Sequence, residues 1–234
     1  MTFFDEITTI FDKYGYHLTE KQMQNFQKYY DKLIDTNAKF NLTSITEQRE
    51  VIIKHFLDSV IAIKYIPDSA NVIDIGCGAG FPSLPIKIMR EDLNFLLIDS
   101  VNKKINFVNE VASDLNLKKI LGLHARVEDL AQKAEFREKS QVVVSRAVAK
   151  LNTLCEYALP LLSIGGVFIA YKSGSVQEEL NEAKNAIKIL GGEIENVFDY
   201  SIEDNERCFV IIKKVNQTPE KYPRDKNKPR TNPL

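Results

Sequence analysis

Along the first 65 residues, apolar side chains return every third or fourth position, whereas beyond residue 70 they gather into short runs. That change of period marks a change from helices packed by one face to strands buried on two. Phe3, Phe4, Ile7, Ile10, Phe11 and Tyr14 form one helical stripe, and Gly15 stands where a left-handed residue would end it. Thr19, Glu20 and Gln22 open a second helix in capping-box style, with Met23, Phe26, Tyr30, Leu33 and Ile34 as its apolar stripe. A polar turn follows, and a third helix is expected from about Glu47 to Tyr65.

From Asn71 the runs predict strands at 72–75, 94–98, 120–124, 141–145, 166–171, 194–200 and 207–213. Helical stretches fall between them at 82–90, 102–115, 127–134, 150–162 and 176–190. Strand–helix alternation implies right-handed crossovers and a parallel sheet. The last two strands have no helix between them and are expected to form an antiparallel hairpin at one edge. The expected fold class is α/β: a mostly parallel, seven-stranded, Rossmann-like core at 66–217 under an N-terminal helical cap at 1–65. The tail at 218–234, TPEKYPRDKNKPRTNPL, carries five basic residues against two acidic ones and is expected to pack on or near that core.

Composition narrows the class. With 234 residues the chain has the size of one α/β core with a small appendage. Lys and Arg number 31 against 32 Asp and Glu, so any nucleic-acid contact must come from local patches and not from a global field. Three widely spaced cysteines, Cys77, Cys155 and Cys208, argue for reduced thiols and a cytoplasmic protein. No C-x-x-C occurs, and His17, His55 and His124 are far apart, so no metal site is expected. No apolar run reaches the roughly 20 residues of a membrane span, and the acidic start lacks the basic segment of a signal peptide. A monomer with no membrane association is expected.

The stretch VIDIGCGAGFPSLPI at 72–86 carries the central candidate chemistry. Val72, Ile73 and Ile75 read as a strand buried on both faces. Gly76, Gly78 and Gly80 let the backbone turn and approach a ligand closely, and the next helix offers free amides. A dinucleotide fingerprint needs G-x-G-x-x-G, but the third glycine arrives early, at Gly80, and position 81 is Phe. Asp74, just before the glycines, either orients the loop or a cofactor amino group, or stabilises the turn by bonding local amides. Asp99 ends the second strand about 20 residues beyond the loop, where an acid accepts ribose hydroxyls. It also suits the N-terminal acid of the following helix.

Other strand ends add candidates. Val127 and Glu128 follow the third strand, in a loop at the same rim that either meets a ligand or is a solvated helix start. Arg146 ends the fourth strand after three valines and faces the crevice where open α/β sheets bind ligands. Lys172 ends the fifth strand at the same rim, as a phosphate contact or a solvated strand end. His55, Asp58 and Ser59 share one helix face. Residues so local cannot form a catalytic triad, so a ligand-facing edge or a capping network fits them better.

The D-x-G-x-G-x-G of residues 74–80 resembles motif I of the class I S-adenosylmethionine-dependent methyltransferases. Taken with FNLTSITEQREVIIKHFLDSV, SRAVAKLNTL, YKSG and KYPR…NPL, the chain resembles the bacterial small-subunit (16S) rRNA guanine-N7 methyltransferase family over nearly its whole length. The resemblance implies a class I methyltransferase fold, S-adenosylmethionine as cofactor, and 16S rRNA or a small-subunit particle as partner. It maps cofactor contacts onto Gly76, Phe81, Asp99, Val127, Glu128 and Arg146, with Asp74 and Gly78 in the same loop. Four positions depart from the family pattern: Cys77 for Ser, Ser83 for Gly, Asp99 for the longer Glu, and Asn227 for Gly. Asn tolerates left-handed backbone, so that last turn is expected to survive.

Guanine N7 carries an in-plane lone pair and needs no deprotonation before attacking a sulfonium methyl. Catalysis can then rest on positioning and charge, with no general base or metal. Arg146 is the expected catalytic residue, holding the cofactor side of the crevice and orienting the base. His55, Lys172, Lys221 and Arg224, with Lys228 and Arg230, are the expected substrate or RNA contacts. A methyltransferase for a small molecule or protein, and a non-enzymatic nucleotide-binding factor, are the competing readings.

Overall fold

The computed structural model describes residues 2–174 and 176–234. Capping boxes start the first two helices: Thr2 and Asp5 exchange bonds at α1 (Phe3–Lys13), and Thr19 and Gln22 at α2 (Glu20–Asn37). The buried tyrosine of α2 is Tyr29, one position from the expected Tyr30. A buried phenol needs a partner, and Tyr29 donates to the Ala79 carbonyl of the glycine loop at 2.5 Å. The third helix spans 48–65 but changes winding along its length. It runs as α3 (Gln48–Val51), a π-helical turn (Ile52–Leu57), α4 (Asp58–Val60) and a 3-10 turn (Ile61–Tyr65). The widened turn carries Lys54 and His55 directly ahead of Asp58.

Seven strands follow: β1 (Asn71–Ile75), β2 (Asn94–Asp99), β3 (Ile120–His124), β4 (Ser140–Arg146), β5 (Leu162–Ser173), β6 (Gly192–Ile202) and β7 (Asn205–Lys214). They lie in the order β3-β2-β1-β4-β5-β7-β6. The first five are mutually parallel, and β7 runs antiparallel to both β5 and β6. The crossovers are α5 (Ser83–Met89), α6 (Asn102–Asp114), α7 (Val127–Ala131), α8 (Leu151–Ala158) and α9 (Gln177–Ile189). The helix expected over 150–162 ends at Ala158, because Pro160 cannot continue it, and β5 starts at Leu162, ahead of the expected 166. From β1 the chain steps outward to β2 and β3, then returns to place β4 on β1's other side. The crevice beyond the carboxyl ends of β1 and β4 is the switch point where such sheets bind ligands.

Both faces of the sheet are buried, and the strands' period of two sorts their residues between two apolar layers. Val72, Phe95, Leu97, Val142, Val144, Ile169 and Phe209 lie in one layer. Ile73, Ile75, Ile98, Val143, Phe168, Ala170 and Val210 lie in the other, against α8 and α9. Phe11, Phe26 and Phe56 from the N-terminal helices belong to the first layer, so the cap itself covers that face of the sheet. Phe56 is fully buried among Phe26, Tyr29 and Phe81. Truncating such a ring costs about 3–5 kcal/mol.

The tail is tied down across the second face and ends in a short helix, α10 (Lys228–Thr231). Arg137 donates to the carbonyls of Thr218, Pro219 and Tyr222. Thr153 donates to Pro229 at 2.9 Å.

Candidate active site

Two cavities open beyond the carboxyl ends of the strands, and the loop after β4 stands between them. The first, of about 490 Å³, is lined by Gly76, Asp99, Val127 and Glu128 together with Lys104, Arg126, Val148, Tyr157, Asn227 and Arg230. Gly76 has φ +69°, and a Cβ there would lie 2.5 Å from Val148 Cγ2. Side chains are thus excluded both by backbone conformation and by space. Gly78, at φ +58°, turns its amide onto Asp99 Oδ2 at 3.0 Å, while Asp99 Oδ1 accepts from Val101 N at 2.9 Å. Asp99 therefore ties the glycine loop to the start of α6 and still presents its carboxylate to the cavity.

Asp74 is fully buried beneath the same loop. Its Oδ2 accepts from the hydroxyl of Ser83 at 2.7 Å, and its Oδ1 has no hydrogen-bond partner among the described residues. Burial pushes this carboxyl up to about 7, with the Ser83 bond and Arg146 opposing the shift. Ser83 stands at one of the four positions that depart from the family pattern, and here it supplies Asp74's side-chain partner.

The second cavity, of about 500 Å³, holds Lys54, His55, Asp58, Arg146, Lys172, Glu179, Tyr200 and Arg207. Arg146 is expected at the cofactor, yet it lines this cavity and not the first. The reason is strand alternation: Arg146 shares the face of Val142 and Val144, which is the face covered by the cap. There its guanidinium donates to Asp58 Oδ2 at 2.9 Å and to the Lys54 carbonyl at 3.1 Å, and it meets His55 Nδ1 at 3.2 Å. Asp58 also accepts from Tyr200 at 2.9 Å.

His55 takes one tautomer for a simple reason. Arg can only donate, so Nδ1 must offer its lone pair, and Nε2–H donates to Thr43 Oγ1 at 2.8 Å. Burial and the adjacent Arg146 cation push the imidazole down to about 3. Thr43 belongs to NLT and His55 to HFLDS, so the two motifs meet at His55, which in turn meets Arg146. Phe81 backs the group: its ring stacks on His55 at 4.3 Å and lies 5.1 Å beneath the Arg146 guanidinium. Phe81 lines neither cavity.

Lys172 alternates to the opposite face, where it donates to Glu179 at 2.6 Å and to the Ala149 carbonyl at 3.0 Å. Lys221 is exposed on the tail. Arg224, an expected RNA contact, instead grips buried Glu156 with two bonds of 2.9 and 2.7 Å. A carboxylate in that position needs a bidentate partner, and Arg224 is spent on it. Tyr200 and Arg207 reach the second cavity from the β6–β7 hairpin, and Asn227, Arg230 and Tyr157 reach the first. Strand-end position marks none of these five as lining a cavity, since antiparallel register, tail path and, for Tyr157, a place in α8 bring them there. The one usable signal was Asn227 at a turn, and it does adopt φ +61°.

A glycine turn with no room for a Cβ at Gly76, an acid facing the cavity and a buried carboxylate oxygen without a partner among the described residues fit an S-adenosylmethionine that presents hydroxyls and an ammonium. Fold and site together define a class I S-adenosylmethionine-dependent methyltransferase. A solved S-adenosylmethionine-dependent methyltransferase from Aquifex aeolicus shares the fold, with a TM-score of 0.55 at 15% identity over 70% of this chain and 93% of that one. The family described as rRNA small subunit methyltransferase G matches residues 22–208, and the chain belongs to it. It is 50% identical to the ribosomal RNA small subunit methyltransferase G of Lachnoclostridium phytofermentans, over 94% of this chain and 93% of that protein. The Bacillus subtilis protein of the same name is 43% identical, over 98% of both.

Proposed function

We propose that this protein transfers the methyl group of S-adenosylmethionine to N7 of a guanine in 16S rRNA, acting in the cytoplasm as a monomer on the RNA or a small-subunit particle. The observation that carries the reading is the pair of cavities sharing one wall, Ala147 and Val148. One cavity suits a nucleoside cofactor and the other is lined by cations. When bound, the cofactor supplies an electrophilic methyl on a positively charged sulfur. Gly76, Asp99, Val127 and Glu128 would hold it, with Asp74 near its ammonium.

The chain's own task is then to position a base across the shared wall. Arg146 is held rigidly by Asp58, His55 and the Lys54 carbonyl, so its free edge can meet guanine O6 or a phosphate without covering N7. The carboxylates and the imidazole of the second cavity, its candidate proton acceptors, are already engaged. Asp58 is taken by Arg146 and Tyr200, His55 by Arg146, and Glu179 by Lys172 and the Leu151 amide. A nucleophile that needs no deprotonation suits such a site. Among the described residues, no group of His, Cys, Asp and Glu is arranged to hold a metal, and no helix is long and apolar enough to cross a membrane. Lys221 is the tail cation proposed for the RNA backbone, through contacts that weaken as salt rises.

The test is to map N7-methylguanine in 16S rRNA from cells with and without the gene, then restore the mark with purified protein. Loss of one mark and its return in vitro is expected. An unchanged methylation map would remove the reading.

A further inference from the structure

The basic tail reads from sequence as an RNA-binding arm, but its path leads over the first cavity. Three clamps set that path: Arg137 on the carbonyls of residues 218, 219 and 222, Arg224 on Glu156, and Thr153 on Pro229. Asn227, in left-handed conformation, turns the chain between the last two. The turn delivers Arg230 to the mouth of the cavity, where its guanidinium donates to the Val148 carbonyl at 3.2 Å. Val148 is the residue that closes on Gly76, so the tail, the β4 loop and the glycine loop meet around one space. Arg230 and Asn227 share the lining with Tyr157, Val127 and Glu128.

We propose that this C-terminal strap is part of the cofactor site, with Arg230 closing over the nucleoside half of S-adenosylmethionine. The inference rests on the cofactor reading above and adds residues to it. A planar guanidinium with one bond to a carbonyl keeps its face available for an aromatic base. The strap also explains why tail clamps are built on buried partners. Glu156 is almost wholly inaccessible, and an arm meant only to sweep RNA needs no such anchor.

Calorimetric binding of S-adenosylhomocysteine to the full chain tests this without any turnover. Arg230→Ala should weaken binding about tenfold, and Arg230→Lys should recover only part, because an ammonium lacks the stacking plane. The ligand-free melting temperature should move by no more than about 2 °C, since the residue is exposed. Glu220→Ala, an exposed tail change away from both cavities, should bind as wild type does. 5′-Methylthioadenosine, the nucleoside half alone, should lose the same factor on Arg230→Ala. If wild type binds but Arg230→Ala binds equally well, the strap has no part in the site. If only the full ligand loses affinity, the nucleoside assignment is overturned. If wild type fails to bind at all, the cofactor reading itself falls, and this inference with it.

Discussion

Arg146 at the end of β4 and Asp58 in the cap helix are bridged at 2.9 Å across 88 positions of sequence. Asp58 is almost fully buried and also accepts from Tyr200 of β6, so one carboxylate joins the cap, the central sheet and the hairpin edge. Without the cap, the Arg146 guanidinium would be a mobile cation at a strand end. With it, the group is a fixed donor at the wall between two cavities.

Replacing Asp58 with Asn should therefore uncouple position from presence. The amide keeps the volume but loses the charge, leaving Arg146 unpaired in a mostly buried setting, at a cost of about 3 kcal/mol in urea unfolding. The methyl-transfer kcat should fall on the order of a hundredfold, since small misplacements of a positioning group cost that much. S-Adenosylhomocysteine affinity should hold within about twofold, because Asp58 lies outside that cavity. Equal losses in binding and turnover would count against a positioning role.

His55 predicts a pH dependence with a definite sign. Its folded value, about 3, lies below the ordinary 6.5. Between these values the unfolded chain binds a proton that the folded chain refuses, so stability is complete above 6.5 and declines as pH falls toward 3. His55→Gln, which keeps an acceptor and a donor, should flatten the melting-temperature curve in that window. A curve as steep as wild type would show that other groups carry the acid sensitivity.

Asp74 runs the opposite way. Its folded value is raised from 3.8 to about 7, so its burial costs stability as pH rises between the two. Under the proposed assignment, a cofactor ammonium near Asp74 would favour the ionised form. S-Adenosylhomocysteine affinity should then rise about tenfold from mildly acidic to mildly alkaline buffer, and proton release should appear in calorimetry. Asp74→Asn should bind weakly with a flat profile. A pH-independent wild type would contradict this assignment.

Arg224→Ala should behave as a structural lesion. Stripping the partner from buried Glu156 should cost about 3 kcal/mol by denaturation. Lys221→Ala should leave stability unchanged and lower the salt slope of RNA binding by about 1. Reversed phenotypes would return Arg224 to the RNA surface.

The alternation of short apolar runs with helical stretches was legible along the chain, and so was the glycine loop, because strand period and φ-permissive residues are local properties. The hairpin followed from the missing helix between 194–200 and 207–213. Boundaries slipped where a local breaker acted, as at Pro160, and where tertiary demand chose the buried ring, as with Tyr29 over Tyr30.

Local chemistry determined that Asp99 ends β2 and that Gly76, Val127 and Glu128 follow just beyond β1 and β3, and strands in one parallel sheet bring their ends together. Tertiary structure alone decided which way Arg146 points, because the period of two assigns it to a face but not to the cap that covers that face. It also decided the His55 tautomer, the engagement of Arg224 by Glu156, and the course of the tail along the first cavity. Each depends on a polar partner dozens of residues away, chosen by burial and hydrogen bonding after the sheet has formed.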